Sequence, residues 1–240
     1  MKIKTLLIDD ETLARNELRY MLNDFSQIQI VGEAANADEA LELMDALKPD
    51  LLFLDISMPE KNGFEFLEEL TQTPEVIFVT AYDQYAIKAF EANALDYILK
   101  PVKQERLQQA IEKAVKEIEE RSAPSGSNHL TGNSQVFIKD GEKCYFVKIA
   151  DIFLLESAGN YVKIYFDTKK PLLHKSLNLL EEKLPQDMFF RVNRQQMINL
   201  NYIQNIESYF KGGLHVTLHS GHSVEVSTRQ AVRFKELMSL

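Results

Sequence analysis

The stretch LLFLDISMP, residues 51–59, decides the fold of the N-terminal half, because a short apolar run ends there on an acidic residue. Leu51 to Leu54 has the length and composition of a buried strand, and Asp55 follows it directly. Three further runs also end on polar residues: Ile3 to Ile8 precedes Asp9, Asp10 and Glu11, Val76 to Val79 precedes Thr80, and Tyr97 to Leu99 precedes Lys100-Pro101.

Helical periodicity separates these strands. Leu107, Ile111 and Ala114 recur at helical spacing within an expected helix from Gln104 to Arg121. Uniformly apolar strands that alternate with helices over residues 1–121 predict a doubly wound, five-stranded parallel sheet of flavodoxin type, covered on both faces. The carboxyl ends of such strands meet at one edge, so the acidic and hydroxyl residues are expected to converge there.

Several carboxylates at one edge repel one another unless a cation lies among them. A hard divalent ion with oxygen ligands suits them, and Mg²⁺ is the usual choice where phosphate is also bound. Taken singly, Asp10 would be a helix N-cap and Lys100-Pro101 a turn. The complete set, in order at strand ends, has no comparable structural explanation.

Length and charge favour two domains. Of the 240 residues, the first 121 carry 13 Lys and Arg against 25 Asp and Glu, whereas the remainder carry 14 against 11. One half is therefore strongly acidic and the other mildly basic. Such asymmetry points to nucleic-acid contact by the basic half, although its excess of +3 is far from strongly basic.

The single cysteine excludes an internal disulfide framework and agrees with a reducing cytosol. Cys144 is expected to be a strand residue rather than a nucleophile. No apolar stretch approaches the length of a membrane span, and a strand pattern begins almost at the first residue with no signal-peptide pattern. We expect a soluble, cytoplasmic protein without membrane insertion.

Composition changes sharply after Arg121. Residues 122–134 are rich in turn formers and are expected to form a flexible linker between residues 1–121 and residues 135–240. Residues 135–240 contain short β-type runs separated by Gly-containing turns, with helical pattern only near residues 176–184 and 228–240. The sequence therefore predicts a mostly antiparallel β module with few helices.

The N-terminal motifs resemble the receiver domain of two-component response regulators. The resemblance implies that Asp55 accepts a phosphoryl group from a sensor histidine kinase. It implies further roles for residues at the strand ends: Asp10, Asp55 and the Ser57 carbonyl as Mg²⁺ ligands with help from Asp9, Lys100 and Thr80 as phosphoryl contacts, Tyr97 as the aromatic of a switch, and a cis peptide at Pro101.

The β module resembles the LytTR DNA-binding domain of the LytR/AlgR type. The resemblance lies in residues 152–156, 159–162, 176–184, 189–200 and 226–229, and it implies loops that enter successive grooves of DNA. The family commonly shows Arg-x-His-Arg-Ser where this chain has RVNRQ at residues 191–195. Arg191, between apolar residues, is expected to be a structural ion-pair partner. The candidate DNA contacts are Asn160, Asn193, Arg194, Arg229 and Arg233, with Lys163, Lys211 and Lys235 near phosphates.

The expected function is that of a response regulator in which phosphorylation of Asp55 controls binding to double-stranded promoter DNA, as a homodimer when phosphorylated or on DNA. The receiver resemblance implies slow autodephosphorylation and no enzymatic turnover. One alternative is a phosphorelay signalling protein whose β module binds a protein partner. A second is an aspartyl phosphatase, which would need Asp-x-Asp, whereas Ile56-Ser57 follow Asp55 here.

Overall fold

The computed structural model describes residues 2–82, 94–121 and 130–238. The chain divides into two compact units, one of residues 1–124 with 135–146 and the other of residues 125–134 with 147–240. Each unit has its own sheets. In the described part of the chain, no helix is both long and apolar enough to cross a membrane.

The first unit contains a five-stranded parallel sheet in the order β2-β1-β3-β4-β5, which confirms the predicted doubly wound fold. The helix expected after the fourth strand falls on residues 83–93, outside the described residues. The elements are β1 (Ile3–Ile8), α1 (Thr12–Leu22), β2 (Ile28–Ala34), α2 (Ala37–Leu47), β3 (Leu51–Leu54), α3 (Gly63–Glu69), β4 (Glu75–Thr80), β5 (Asp96–Leu99) and α4 (Gln104–Arg121).

Alternate residues of each strand enter two separate hydrophobic clusters, one on either face of the sheet. Leu52 and Phe78 belong to the cluster beneath α2 and α3, whereas Phe53 and Ile77 belong to the cluster beneath α1 and α4. Burial on both faces is the reason why the strands are apolar without alternation. Polar side chains are thereby confined to the strand ends.

A β-hairpin that follows the expected linker packs against α3 and β4 of the parallel-sheet domain. It consists of β6 (Gln135–Asp140) and β7 (Lys143–Lys148). Phe137 and Phe146 are buried against Phe64 and Phe78, with ring centroids 5.1 to 6.4 Å apart around the cluster. Sequence alone placed residues 135–146 in the C-terminal module, because alternation predicts a strand but not the surface that covers it.

Polar contacts fix the same hairpin at its ends. The Thr73 amide donates to the Gln135 carbonyl oxygen at 2.8 Å, and Lys139 lies 2.9 Å from Glu68. Cys144 is buried within β7, which confirms that it is a strand residue.

The second unit contains two antiparallel sheets, ordered β10-β9-β8-β12-β11 and β13-β14-β15, as predicted for the β module. Phe153 and Phe190 from the first of these sheets share a core with Val216 and Phe234. The elements are β8 (Ile152–Ala158), β9 (Tyr161–Phe166), β10 (Leu172–Leu173), α5 (Leu177–Lys183), β11 (Phe189–Arg191), β12 (Gln196–Asn199), β13 (Ile203–Ser208), β14 (Leu214–Leu218), β15 (Ser223–Val226) and α6 (Thr228–Met238).

The last residues of the expected linker form a turn within the second unit. The Thr131 amide donates to Ser134 Oγ at 2.9 Å, while the Gly132 and Ser134 carbonyl oxygens accept from the amides of Ala150 and Ile149. Residues 122–129 of that linker lie outside the described residues.

Candidate functional site

Strand register brings the predicted acidic residues together. Ile8 pairs with Leu54, and the Asp55 amide donates to the Ile8 carbonyl oxygen at 2.8 Å, so Asp9 and Asp55 leave neighbouring strands side by side. Thr80 of β4 pairs with Leu99 of β5, farther along the same sheet, which places Lys100 beside the two aspartates. The carboxyl edge of the sheet therefore gathers residues from four segments of the sequence, as the strand pattern predicts.

Lys100 is the centre of this cluster. Its Nζ lies 2.7 Å from Asp9 Oδ2, 2.7 Å from Asp55 Oδ2 and 3.7 Å from Glu11 Oε2. The Asp9 and Asp55 side chains are almost fully buried, and that of Lys100 is only 15% exposed. One ammonium thus faces several carboxylates in a partly desolvated environment, where electrostatic interactions are stronger than in water.

Burial and the contacts with Lys100 shift the pKa values of this cluster. Burial raises the pKa of Asp9, and the Lys100 ammonium only partly opposes that rise. Burial alone would lower the pKa of Lys100, but hydrogen bonds to Asp55 and Asp9 outweigh it and raise the value. Lys100 is therefore held as an ammonium, while Asp9 lacks full compensation for its charge.

The donor set around Asp55 fits a hard divalent cation. Ligand oxygens of Asp9, Asp10 and Asp55 all lie within 4.8 Å of one another, and Asp10 is exposed to solvent. Carboxylate oxygens with an open side for water are the surroundings in which Mg²⁺ binds. Ser57 is exposed next to them, and its amide donates to Asp55 Oδ1 at 3.1 Å.

A glycine fixes the loop that carries Ser57. The Gly63 amide donates to the Ile56 carbonyl oxygen at 2.9 Å, and a Cβ at Gly63 would lie 2.5 Å from the Asp55 carbonyl oxygen. A side chain would not fit there. Asn62 and Glu65 then form a capping box, so α3 begins directly against the Asp55 loop.

Thr80 and Tyr97 lie on the adjoining strands. Thr80 is fully buried, and its hydroxyl has no hydrogen-bond partner among the described residues. Tyr97 is 8% exposed, and its hydroxyl donates to the Tyr82 carbonyl oxygen. The receiver resemblance implies that this ring turns inward on phosphorylation, but in the structure it already lies inward. The Lys100-Pro101 peptide is cis, in agreement with the resemblance.

Asp96, at the start of β5, is buried and forms ion pairs within the chain. Arg106 donates to both of its carboxylate oxygens, and Lys113 Nζ lies 3.3 Å away. Burial would raise the pKa of Asp96, but the hydrogen bonds from Arg106 and from the Tyr97 amide lower it below its ordinary value. Asp96 and Arg106 are thus engaged with each other.

A second site is formed at one end of the β module by four loop segments, residues 159–160, 193–195, 209–213 and 227–229, which we call the loop edge. The Ser157 amide donates to the Gln195 carbonyl oxygen at 2.7 Å, and the Ser227 amide to the Val192 carbonyl oxygen at 3.0 Å. The pairing of Leu214 with Val226 brings the β13–β14 turn to the same end. Loops distant in sequence therefore form one continuous edge.

Three predicted DNA contacts are presented freely at this edge. Asn160, Arg194 and Arg229 are all exposed, with Asn160 in a turn that Gly159 enters at a φ of +65°. Arg194 and Arg229 also line one groove together with Arg233. The guanidinium groups suit phosphate oxygens and guanine edges.

The Asn193 side chain is hydrogen-bonded to backbone groups of the loop edge and of β15. Its Nδ2 donates to the Glu225 carbonyl oxygen at 2.9 Å, and its Oδ1 accepts from the amides of Gln195 and Gln196. The side chain therefore organises the loop that carries Arg194. Arg191 pairs with Glu181 at 3.1 Å, the structural role expected for it.

The remaining predicted contacts are distributed around the same module. Arg233 is exposed and lies 5.9 Å from the Phe190 ring centroid, while Lys163 lies 3.8 Å from Glu156. Lys235 is exposed, but six residues beyond Arg229 it falls on another face of α6. The Lys211 side chain lies outside the described part of the chain, within a turn whose exposed aromatic neighbours, Tyr209 and Phe210, sequence reasoning missed.

Comparison with known proteins identifies the two domains in which these candidate sites lie. The response regulator receiver domain model matches residues 5–112, and the LytTr DNA-binding domain model matches residues 142–239. Sensory transduction protein LytT of Enterococcus faecalis is 39% identical over 238 residues, which cover 98% of each chain.

Two further relatives align over nearly their full lengths. Sensory transduction protein LytT of Bacillus anthracis is 36% identical over 99% of this chain and 100% of its own. Transcriptional regulatory protein LytR of Staphylococcus aureus is 34% identical with the same coverage. Because the family models and the end-to-end relatives agree, the chain belongs to the LytTR family of two-component response regulators, in which a receiver domain precedes a LytTR DNA-binding domain.

Proposed function

We propose that Asp55 accepts a phosphoryl group from a cognate sensor histidine kinase and that this modification controls binding of the loop edge to promoter DNA. The observation that carries the proposal is the position of Lys100, whose Nζ lies 2.7 Å from both Asp55 and Asp9. A buried ammonium against a strand-end carboxylate is placed to contact a phosphoryl oxygen as soon as one arrives.

The chemistry is a transfer between two side chains. A carboxylate oxygen of Asp55 attacks the phosphorus, the phosphorus–nitrogen bond of the kinase phosphohistidine breaks, and an acyl phosphate forms. Lys100 pairs with the new phosphoryl group, and the buried Thr80 hydroxyl gains an acceptor. Mg²⁺, held by Asp10, Asp55 and the Ser57 carbonyl with help from Asp9, would neutralise phosphoryl oxygens.

The protein acts here as a phosphoacceptor that slowly loses its own phosphate, not as an enzyme with turnover. Intact-mass analysis after incubation with acetyl phosphate and Mg²⁺ tests this. Wild type is expected to gain one phosphate, and Asp55→Asn none. Asp45→Asn, which changes an exposed aspartate of α2, is the matched control and should be modified like wild type. Phosphate on the Asp55→Asn variant would refute the assignment.

The output is binding to double-stranded promoter DNA in the cytoplasm. Support comes from the exposed Arg194, Arg229 and Asn160 at one edge of a module that matches the LytTr DNA-binding domain. A mobility shift with duplex DNA at low salt tests it. Absence of any shift at every protein concentration would favour the alternative in which this module binds a protein.

We further propose that the phosphorylated or DNA-bound form is a homodimer. We expect the receivers to pair through residues 84–93, which lie outside the described residues, and residues 96–109, because these segments mix charges of both signs. Since Asp96 and Arg106 pair within one chain, other charges of that face, such as Lys103 and Glu105, remain for a partner. Sedimentation with and without beryllofluoride distinguishes dimerisation by the receiver from dimerisation on DNA alone.

A further inference from the structure

The turn between β13 and β14 presents two aromatic side chains to solvent. Phe210 is 77% exposed and Tyr209 is 49% exposed. The turn is ordered by its own backbone, because the Tyr209 amide donates to the Gly213 carbonyl oxygen at 2.9 Å and the Gly213 amide to the Phe210 carbonyl oxygen at 3.3 Å. Phe210 is therefore displayed by a fixed turn.

This turn belongs to the loop edge. Gly212 approaches the start of α6, since a Cβ at that position would lie 3.8 Å from Thr228 Cγ2. A Cβ at Gly213 would lie 3.1 Å from the Val226 carbonyl oxygen, next to the β15 end that binds the Asn193 side chain through Glu225. The exposed ring thus lies on the same edge as Arg229 and Arg194.

Exposure alone would carry no argument, because single apolar side chains are common on protein surfaces. The charged groups around Phe210 indicate which kind of molecule binds there. Exposed guanidinium groups on the same edge favour a polyanion, and Lys211 follows Phe210 in sequence. Duplex DNA combines anionic phosphates with apolar surface, because its grooves offer thymine methyl groups, sugars and base steps that an aromatic side chain can contact.

We propose that Phe210 is an apolar DNA contact that inserts into a groove when the loop edge binds the duplex. The inference rests on the proposed DNA binding and adds a residue and a type of contact to it. Arginine and lysine supply phosphate contacts that weaken with salt, whereas Phe210 supplies a contact that carries no charge.

This difference gives the contact a measurable signature. Binding through phosphates makes the logarithm of the affinity fall linearly with the logarithm of salt concentration, and each lost phosphate contact reduces the slope by roughly one. Phe210→Ala is expected to lower affinity by about tenfold, near the low end of what burial of a phenyl ring contributes. Its salt slope should equal that of wild type.

The test measures affinity for a random-sequence duplex across a salt series with the full-length protein. Phe210→Ala should bind more weakly at every salt concentration with an unchanged slope, and Phe210→Leu should bind at an intermediate level. Leu237→Ala is the matched control: that side chain is 47% exposed on α6, about 13 Å along the helix from Thr228, and should behave as wild type.

Separate outcomes overturn the two proposals. If wild type binds no duplex, the proposed DNA binding fails. If wild type binds and Phe210→Ala binds equally well, or loses affinity with a reduced slope, the apolar contact is refuted and DNA binding stands. The melting temperature of each variant shows that the exposed substitutions leave the module folded.

Discussion

Truncation of Phe137 should release the β6–β7 hairpin from the first unit. Phe137 is 5% exposed, and its ring lies 6.3 Å from Phe64 and 5.1 Å from Phe146 between centroids. Phe137→Ala removes these contacts and leaves a cavity. Burial of a phenylalanine in such a cluster stabilises the fold strongly, because truncation to alanine lowers the free energy of unfolding by about 3–5 kcal/mol.

The low end of that range applies here, because a hairpin can shift to fill part of the space. A loss of about 3 kcal/mol corresponds to a roughly 100-fold increase in the population of the undocked hairpin. The ion pair between Lys139 and Glu68 is partly exposed and should contribute only about 0–1 kcal/mol, so it would not hold the hairpin alone.

Cys144 provides the assay. It is the only cysteine of the chain and is 4% exposed, so a thiol reagent reaches it when the hairpin opens. The labelling rate of Phe137→Ala should exceed that of wild type by about two orders of magnitude at a reagent concentration where labelling is slower than closing, because the rate is then proportional to the open population. Val136→Ala, on the same strand and partly exposed, is the control and should change the rate little. Equal rates for Phe137→Ala and wild type would show that the hairpin is not held by this cluster.

Three further predictions concern both sites. Tyr82 is 47% exposed two residues beyond Thr80, where its ring should shield the acyl phosphate from water; Tyr82→Glu should therefore lose phosphate faster, as ³²P decay would show. The pKa of Asp96 is lowered in the folded state, so ionised Asp96 increases the free energy of unfolding above the ordinary pKa of 3.8, and this contribution is lost as pH falls through the lower folded value. The free energy of unfolding of Asp96→Asn should therefore depend less on pH in that window than that of wild type. Arg194→Ala and Arg229→Ala should narrow the affinity gap between specific and random DNA, each by about 1–3 kcal/mol, and an unchanged gap in competition assays would place the base contacts elsewhere.

The sheet and its edge were predictable from sequence because they depend on local rules. Short apolar runs that end on Asp9, Asp55 and Thr80 specify both the strands and the edge at which they end. Lys100 was predictable from its place in that series. The inward position of Tyr97 was not, because the strand pattern does not determine which rotamer the surrounding packing selects.

The β module shows where local rules end. Alternation in residues 135–148 predicts a hairpin, but only the aromatic contacts of Phe137 and Phe146 show which surface covers it. Asn193 stays a predicted DNA contact, but its hydrogen bonds to Glu225 and to nearby amides could not be predicted from the sequence, because they depend on the folded loop. Phe210 was missed for a related reason, since an aromatic in a β-rich sequence is ordinarily expected in the core.

Control of DNA binding by phosphorylation of Asp55 can be tested in one titration. Affinity for duplex DNA is measured with Mg²⁺, in the presence and absence of beryllofluoride, for wild type and for Asp55→Asn. Beryllofluoride should change the affinity of wild type and leave that of Asp55→Asn unchanged. An identical wild-type affinity under both conditions, or an equal change in Asp55→Asn, would contradict control through Asp55.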